Sequence, residues 1–139
     1  MSAYCARADI EQIFGTSNVE KWADLDDDAD ATKITARITA MIAEASEDID
    51  DQLRGGRYEL PFPSGTMTIT TLAARLAGVL LYEARGVRDF ESETGTPYHR
   101  LQWHRNRVEQ VIKEIQSGQR ILNAQRTEQS DVPFLVKDE

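Results

Sequence analysis

The chain has 139 residues, of which 40% are apolar and 29% charged, with a net charge of −8. That is an ordinary globular balance, which predicts one domain with its own core and argues against wholesale disorder. Residues 1–60 hold 6 Lys/Arg against 14 Asp/Glu, while residues 97–139 hold 7 against 6, so the acidity is N-terminal and disfavours duplex DNA as a partner there. Cys5 is the only cysteine, so neither an intramolecular disulfide nor a cysteine metal cluster can form. Residues 1–7 have no apolar signal region, and the longest apolar run, Leu76 to Tyr82, is too short to cross a bilayer; the expectation is a soluble protein with no membrane partner.

Taken in order, Arg7 to Phe14 is a short helix with Ile10, Ile13 and Phe14 on one side and Gly15 as its stop. Ser17-Asn18-Val19-Glu20 matches a capping box and predicts a second short helix through Trp22 and Ala23. Neither is long enough to stand alone. Asp24-Leu25-Asp26-Asp27-Asp28-Ala29-Asp30 is the most acidic window. Its first three alternate aspartates have calcium-loop spacing, but Ala29 replaces the turn glycine and Thr35 the closing glutamate, so a solvated acidic linker is expected. Asp30 is placed to cap the next helix.

That helix starts near Lys33, with Ile34, Ile38, Met41, Ile42, Ala45, Ile49 and Leu53 on one side and Gly55-Gly56 at its end. Arg57-Tyr58-Glu59-Leu60-Pro61-Phe62-Pro63 then changes to a twofold alternation, which predicts an extended arm. Ser64-Gly65 is a turn, and Thr66 or Thr68 starts a helix to about Arg85 with a broad apolar face from Ile69 to Leu81. Gly78 in that face permits close approach of a neighbour. Residues 87–95 read as a polar loop. Thr96-Pro97 opens a last helix to about Ser117, with Leu101, His104, Val108, Val111, Ile112 and Ile115 inward and Arg100, Arg105, Arg107 and Lys113 outward. The remainder is polar except for Ile121, Leu122 and the apolar segment Val132-Pro133-Phe134-Leu135-Val136, which has the character of a docking segment. The predicted fold is all-α, with about three long and two short helices, an extended arm between the first two long ones, a helical domain over residues 1–122 and an extended tail over 123–139.

The search for chemistry is negative. The chain has only two histidines, His99 and His104. Five residues apart on a helix, they diverge, and no nucleophile–base–orienter set accompanies them. Arg54-Gly55-Gly56-Arg57 follows a helix instead of opening one, so it is no phosphate loop. No catalytic residue, cofactor or metal is expected.

Tyr4, Asp9-Ile10, Ile13-Phe14-Gly15, the acidic loop, Ala45-Ser46-x-x-Ile49-Asp50-x-x-Leu53 and Gly56-Arg57-Tyr58-x-Leu60-Pro61 together carry a resemblance, followed by Leu76-Ala77…Leu81-Tyr82 and a late helix ending at Gly118. Over roughly Tyr4 to Leu122 the chain resembles the small head-tail connector (adaptor) proteins of long-tailed bacteriophages and Mu-like prophages. The resemblance implies a non-enzymatic virion protein at the head-tail junction, made in the host cytoplasm. It further implies a ring of copies, expected to be twelvefold, beneath the portal protein, joined to a stopper or tail-completion protein. Genome DNA would pass through without specific binding. A ring needs heterologous contacts. Arg57, Tyr58, Leu60 and Phe62 of the arm and Phe134, Leu135 and Val136 of the tail are the candidate joints, although within one subunit the arm is expected to fold back over its own core. If the arm is a joint, Tyr58→Asp with Phe62→Asp should abolish rings and spare helicity. The rival reading is a monomeric acidic module that imitates DNA and blocks a basic site.

Overall fold

The computed structural model describes residues 3–62, 66–85 and 96–122, with only the backbone of residues 85 and 96–100. Five helices account for most of them: α1 (Arg7–Phe14), α2 (Thr16–Ala23), α3 (Ala31–Leu53), α4 (Met67–Arg85) and α5 (Thr96–Ser117), and there is no strand among the described residues. The all-α expectation holds. The Ser64-Gly65 turn, the 87–95 loop, His99 and the Phe134, Leu135 and Val136 segment lie outside the described residues or side chains.

Local chemistry sets most of the ends. The Asp9 carboxylate accepts from the Ala6 amide at 2.8 Å and ties down the start of α1. Asp30 caps α3, its Oδ1 accepting from the Thr32 and Lys33 amides at 2.9 and 3.3 Å. At the other end Arg54 turns extended and Gly55 takes a φ of +83°, the left-handed position for which glycine is suited. The capping box expected at Ser17 and Glu20 does not form. Gly15, with a φ of +97°, both ends α1 and precedes α2, which starts at Thr16 without a side-chain cap. Asn18 instead donates to the Phe14 carbonyl at 2.8 Å, and Glu20 pairs with Arg7 at 3.0 Å.

The hub is α4, which packs against each of the other four helices and most extensively against α3. Its buried residues are Ile69, Leu72, Ala73, Ala74, Leu76, Ala77, Val79, Leu81 and Tyr82, which are too many to share one stripe. Interleaved alanines and Gly78 let the surrounding helices come close. A Cβ at Gly78 would overlap the Phe14 ring of α1. From α3, Ile34, Ile38, Ile42, Ala45, Ile49 and Leu53 point into this core, and from α5 Leu101, His104, Val108, Val111, Ile112 and Ile115 do the same. Both faces match the spacing read from the sequence.

Candidate functional site: a folded arm, a braced acidic loop and an arginine groove

The arm turns inward. Tyr58 and Phe62 are each 4% exposed, Leu60 is half-buried, and the Leu60–Pro61 peptide is cis. Tyr58 Oη accepts from the Leu122 amide at 2.8 Å, so the arm grips the chain just after α5. Arg57 is half-buried and its guanidinium lies under Gly118, donating to the Ser117 carbonyl at 3.4 Å. Of the arm residues expected as joints, Tyr58 and Phe62 are therefore packed inside the chain's own core.

What they pack around explains the motif. Tyr4 stands edge-on to Phe62, their ring centres 5.8 Å apart. The Tyr4 hydroxyl donates to Asp50 at 2.5 Å and accepts from the Phe62 amide at 3.1 Å, and the Tyr4 amide donates to Ser46 Oγ at 3.0 Å. Ser46 and Asp50 are one turn apart on α3 and both buried. Together Tyr4, Ser46, Asp50 and Phe62 latch the N-terminal strap and the arm onto α3. A buried polar set of this kind is costly when broken, because a partner left behind has no water. Burial, reinforced by the hydrogen bond to Asp50, pushes the Tyr4 phenol up to about 12 from its ordinary 10.0. The fold thus favours the neutral phenol. The resulting stability is fully present below pH 10 and lost as pH rises from 10.0 to about 12. Tyr4→Phe should lower stability by about 2 kcal/mol, leaving Asp50 and the Phe62 amide without this partner. It should also flatten the alkaline limb of a stability–pH curve measured by urea titration. An unchanged limb would mean that Tyr4 does not contribute to it beside the Cys5 thiol, which burial also pushes up to about 12.

The acidic loop is braced internally. Asp24 accepts from the amides of Asp28 and Ala29 at 3.2 and 3.1 Å, and Asp28 from that of Asp30 at 3.1 Å. Lys33 reaches Asp28 and Asp26 at 2.9 and 3.4 Å, and Arg37 reaches Asp26 at 3.4 Å. The side-chain bond to Lys33 holds the Asp28 carboxyl below its usual range. Among the described residues no group of three or more His, Cys, Asp or Glu is arranged to hold a metal ion.

The least expected feature lies between α4 and α5. Met67, Thr68, Thr71, Leu72, Arg75, Arg107, Val111 and Arg120 line a groove of ≈ 190 Å³. Leu72 and Val111 are buried, whereas Met67 at its rim is 72% exposed. Arg75 donates to His104 Nδ1 at 2.6 Å. Because a guanidinium cannot accept, His104 carries no proton on that nitrogen. Arg75 also lies 5.3 Å from the centre of the Trp103 ring, which is 54% exposed. Burial, and then the like charge of Arg107, lower the Arg75 pKa, although an arginine stays charged at neutral pH. Arg105 and Arg120 pair with Glu83 and Glu114 at 2.5 and 2.9 Å. No carboxylate among the described residues forms an ion pair with Arg75 or Arg107. Sequence reading missed this groove because its three cations come from α4, α5 and the chain beyond Gly118. The available signal was Arg75 itself, a charge interrupting the apolar face between Ile69 and Leu81.

No described helix is long and apolar enough to cross a membrane. Comparison with characterised proteins and with solved structures gives no match. A family model described as "Bacteriophage Mu, Gp36" matches residues 4–133, a span that includes the Tyr4 latch, the arm, the groove and part of the tail. The chain therefore belongs to the bacteriophage Mu Gp36 family, a family of phage proteins.

Proposed function

We propose that this protein is a structural component of the phage particle, a head-tail adaptor that works without catalysis by assembling into a ring between portal and tail. The observation that carries the proposal is the family match over residues 4–133, which fits the resemblance to connector proteins carried by Tyr4, Asp50 and the Gly56 to Pro61 segment. The buried latch supports it physically. It ties the N-terminal strap and the arm to α3, so that one small helical bundle has a defined shape to offer its neighbours. The net charge of −8 suits a passage through which DNA must slide without sticking. A DNA imitator is less well supported, since the same subunit carries the Arg75, Arg107 and Arg120 groove.

The test is electron microscopy of the full chain mixed with its cognate portal, together with composition analysis of finished particles. Rings seated on the portal, and the protein present in particles, are the expected results. A compact monomer that ignores the portal and is absent from particles would sink the proposal.

A further inference from the structure

Two surfaces of the subunit have unbalanced charge of opposite sign. One is the arginine groove, with a single exposed apolar side chain, Met67, at its rim. The other is a shallow depression lined by Ala43, Glu44, Glu47, Asp48 and Asp51 of α3 and by Leu80 of α4. Asp51 takes an ion pair with Arg54 at 2.7 Å. Glu44, Glu47 and Asp48 are exposed and form no ion pair with any described cation.

The two surfaces lie on opposite sides of the hub. Thr71 in the groove and Leu80 in the depression are nine positions apart on α4, about two and a half helical turns, which places them about half a turn apart around its axis. Opposite charges on opposite sides of one subunit cannot pair with each other within that subunit. A second copy satisfies them in one orientation, and each copy still presents one free surface of each sign. Such a contact is heterologous. It propagates into a closed ring or a filament, whereas a twofold dimer would set like against like.

We infer that copies of this chain join by seating the arginine groove of one, with Met67 leading, on the Glu44, Glu47 and Asp48 face of the next, where Leu80 and Ala43 provide an apolar floor. The inference rests on the adaptor reading and names the joint of its ring. Arg75 and Arg107 gain carboxylate partners, and the exposed Met67 side chain is buried. Charge pairs at such an edge set partner orientation and association rate, and they weaken with salt.

The test uses four full-length samples in sedimentation velocity, with helicity and melting temperature as controls for folding. One variant carries Arg107→Glu with Arg120→Glu, and the other Glu44→Arg with Asp48→Arg. Each alone sets like charges together at every joint, and its self-association should fall on the order of a hundredfold. Mixed one to one, the two variants restore opposite charge at every joint and should assemble again as alternating rings. Wild-type assembly should weaken as salt is raised from about 0.1 to about 1 M, over which the screening length shrinks from about 10 to about 3 Å. Folded single variants that assemble like the wild type, or a mixture that does not recover, would overturn this joint and leave the adaptor reading standing. A wild-type chain that stays monomeric at every concentration, with or without its portal, would overturn both.

Discussion

Tyr58→Asp with Phe62→Asp is expected to abolish the cooperative unfolding transition of the isolated chain, not merely the proposed assembly. Both rings are 4% exposed and stand 5.9 Å apart, and Phe62 also meets Tyr4. Loss of a buried aromatic costs roughly 3–5 kcal/mol before any burial of charge is counted. Two such losses, even allowing for their coupling, consume most of a total stability of about 5–15 kcal/mol. A carboxylate in place of Tyr58 also deprives the Leu122 amide of its phenolic acceptor. Circular dichroism on heating separates the possibilities. A folded, cooperative, non-assembling double variant would show that the arm is a joint; a collapsed transition shows that it is core. Burial makes the second outcome the expected one.

Gly78→Ala is the second large effect. On an exposed helix the change would gain about 1 kcal/mol in propensity. Here the new methyl would overlap three atoms of the Phe14 ring. That ring has little room to withdraw, being held edge-on between Trp22 at 5.4 Å and His104 at 4.8 Å, with Trp22 in turn against Tyr82 at 5.3 Å. Overpacking costs about 1–3 kcal/mol, so the net sign is destabilising and α1 is pushed off α4. Phe14→Leu in the same chain makes room, and the pair should be more stable than the sum of the single changes implies. Urea titrations of the four corners of this cycle measure the coupling, and strict additivity would show that Gly78 and Phe14 are not in contact.

Much of the architecture is legible residue by residue, because helix signals are local. Asp30, Gly55 and Gly118 mark ends through a capping carboxylate and positive backbone angles. The stripes Ile34 to Leu53 and Leu101 to Ile115 point inward because 3.6-residue periodicity leaves them no other arrangement. The misplaced start of α2 has a local cause as well. Gly15 and Ser17 compete for the same end, and the left-handed glycine wins over the capping hydroxyl.

Pairings between distant residues are a different matter. That Tyr58 and Phe62 pack inside the chain depended on Tyr4, whose hydroxyl meets the arm across 58 residues and α3 across 46. The hub could not be identified from a broad apolar face alone, since breadth does not say which helices cover it. Nor could Arg75, Arg107 and Arg120 be grouped, because only the packing of α4 against α5 brings them to one groove. Amino-acid order by itself determined where the helices run, which faces are apolar and which end of the chain is acidic, since those depend on neighbours a few residues apart. Tertiary packing alone decided which apolar segment is buried inside the chain and where unpaired charge is left on its surface, since both depend on what a distant segment covers.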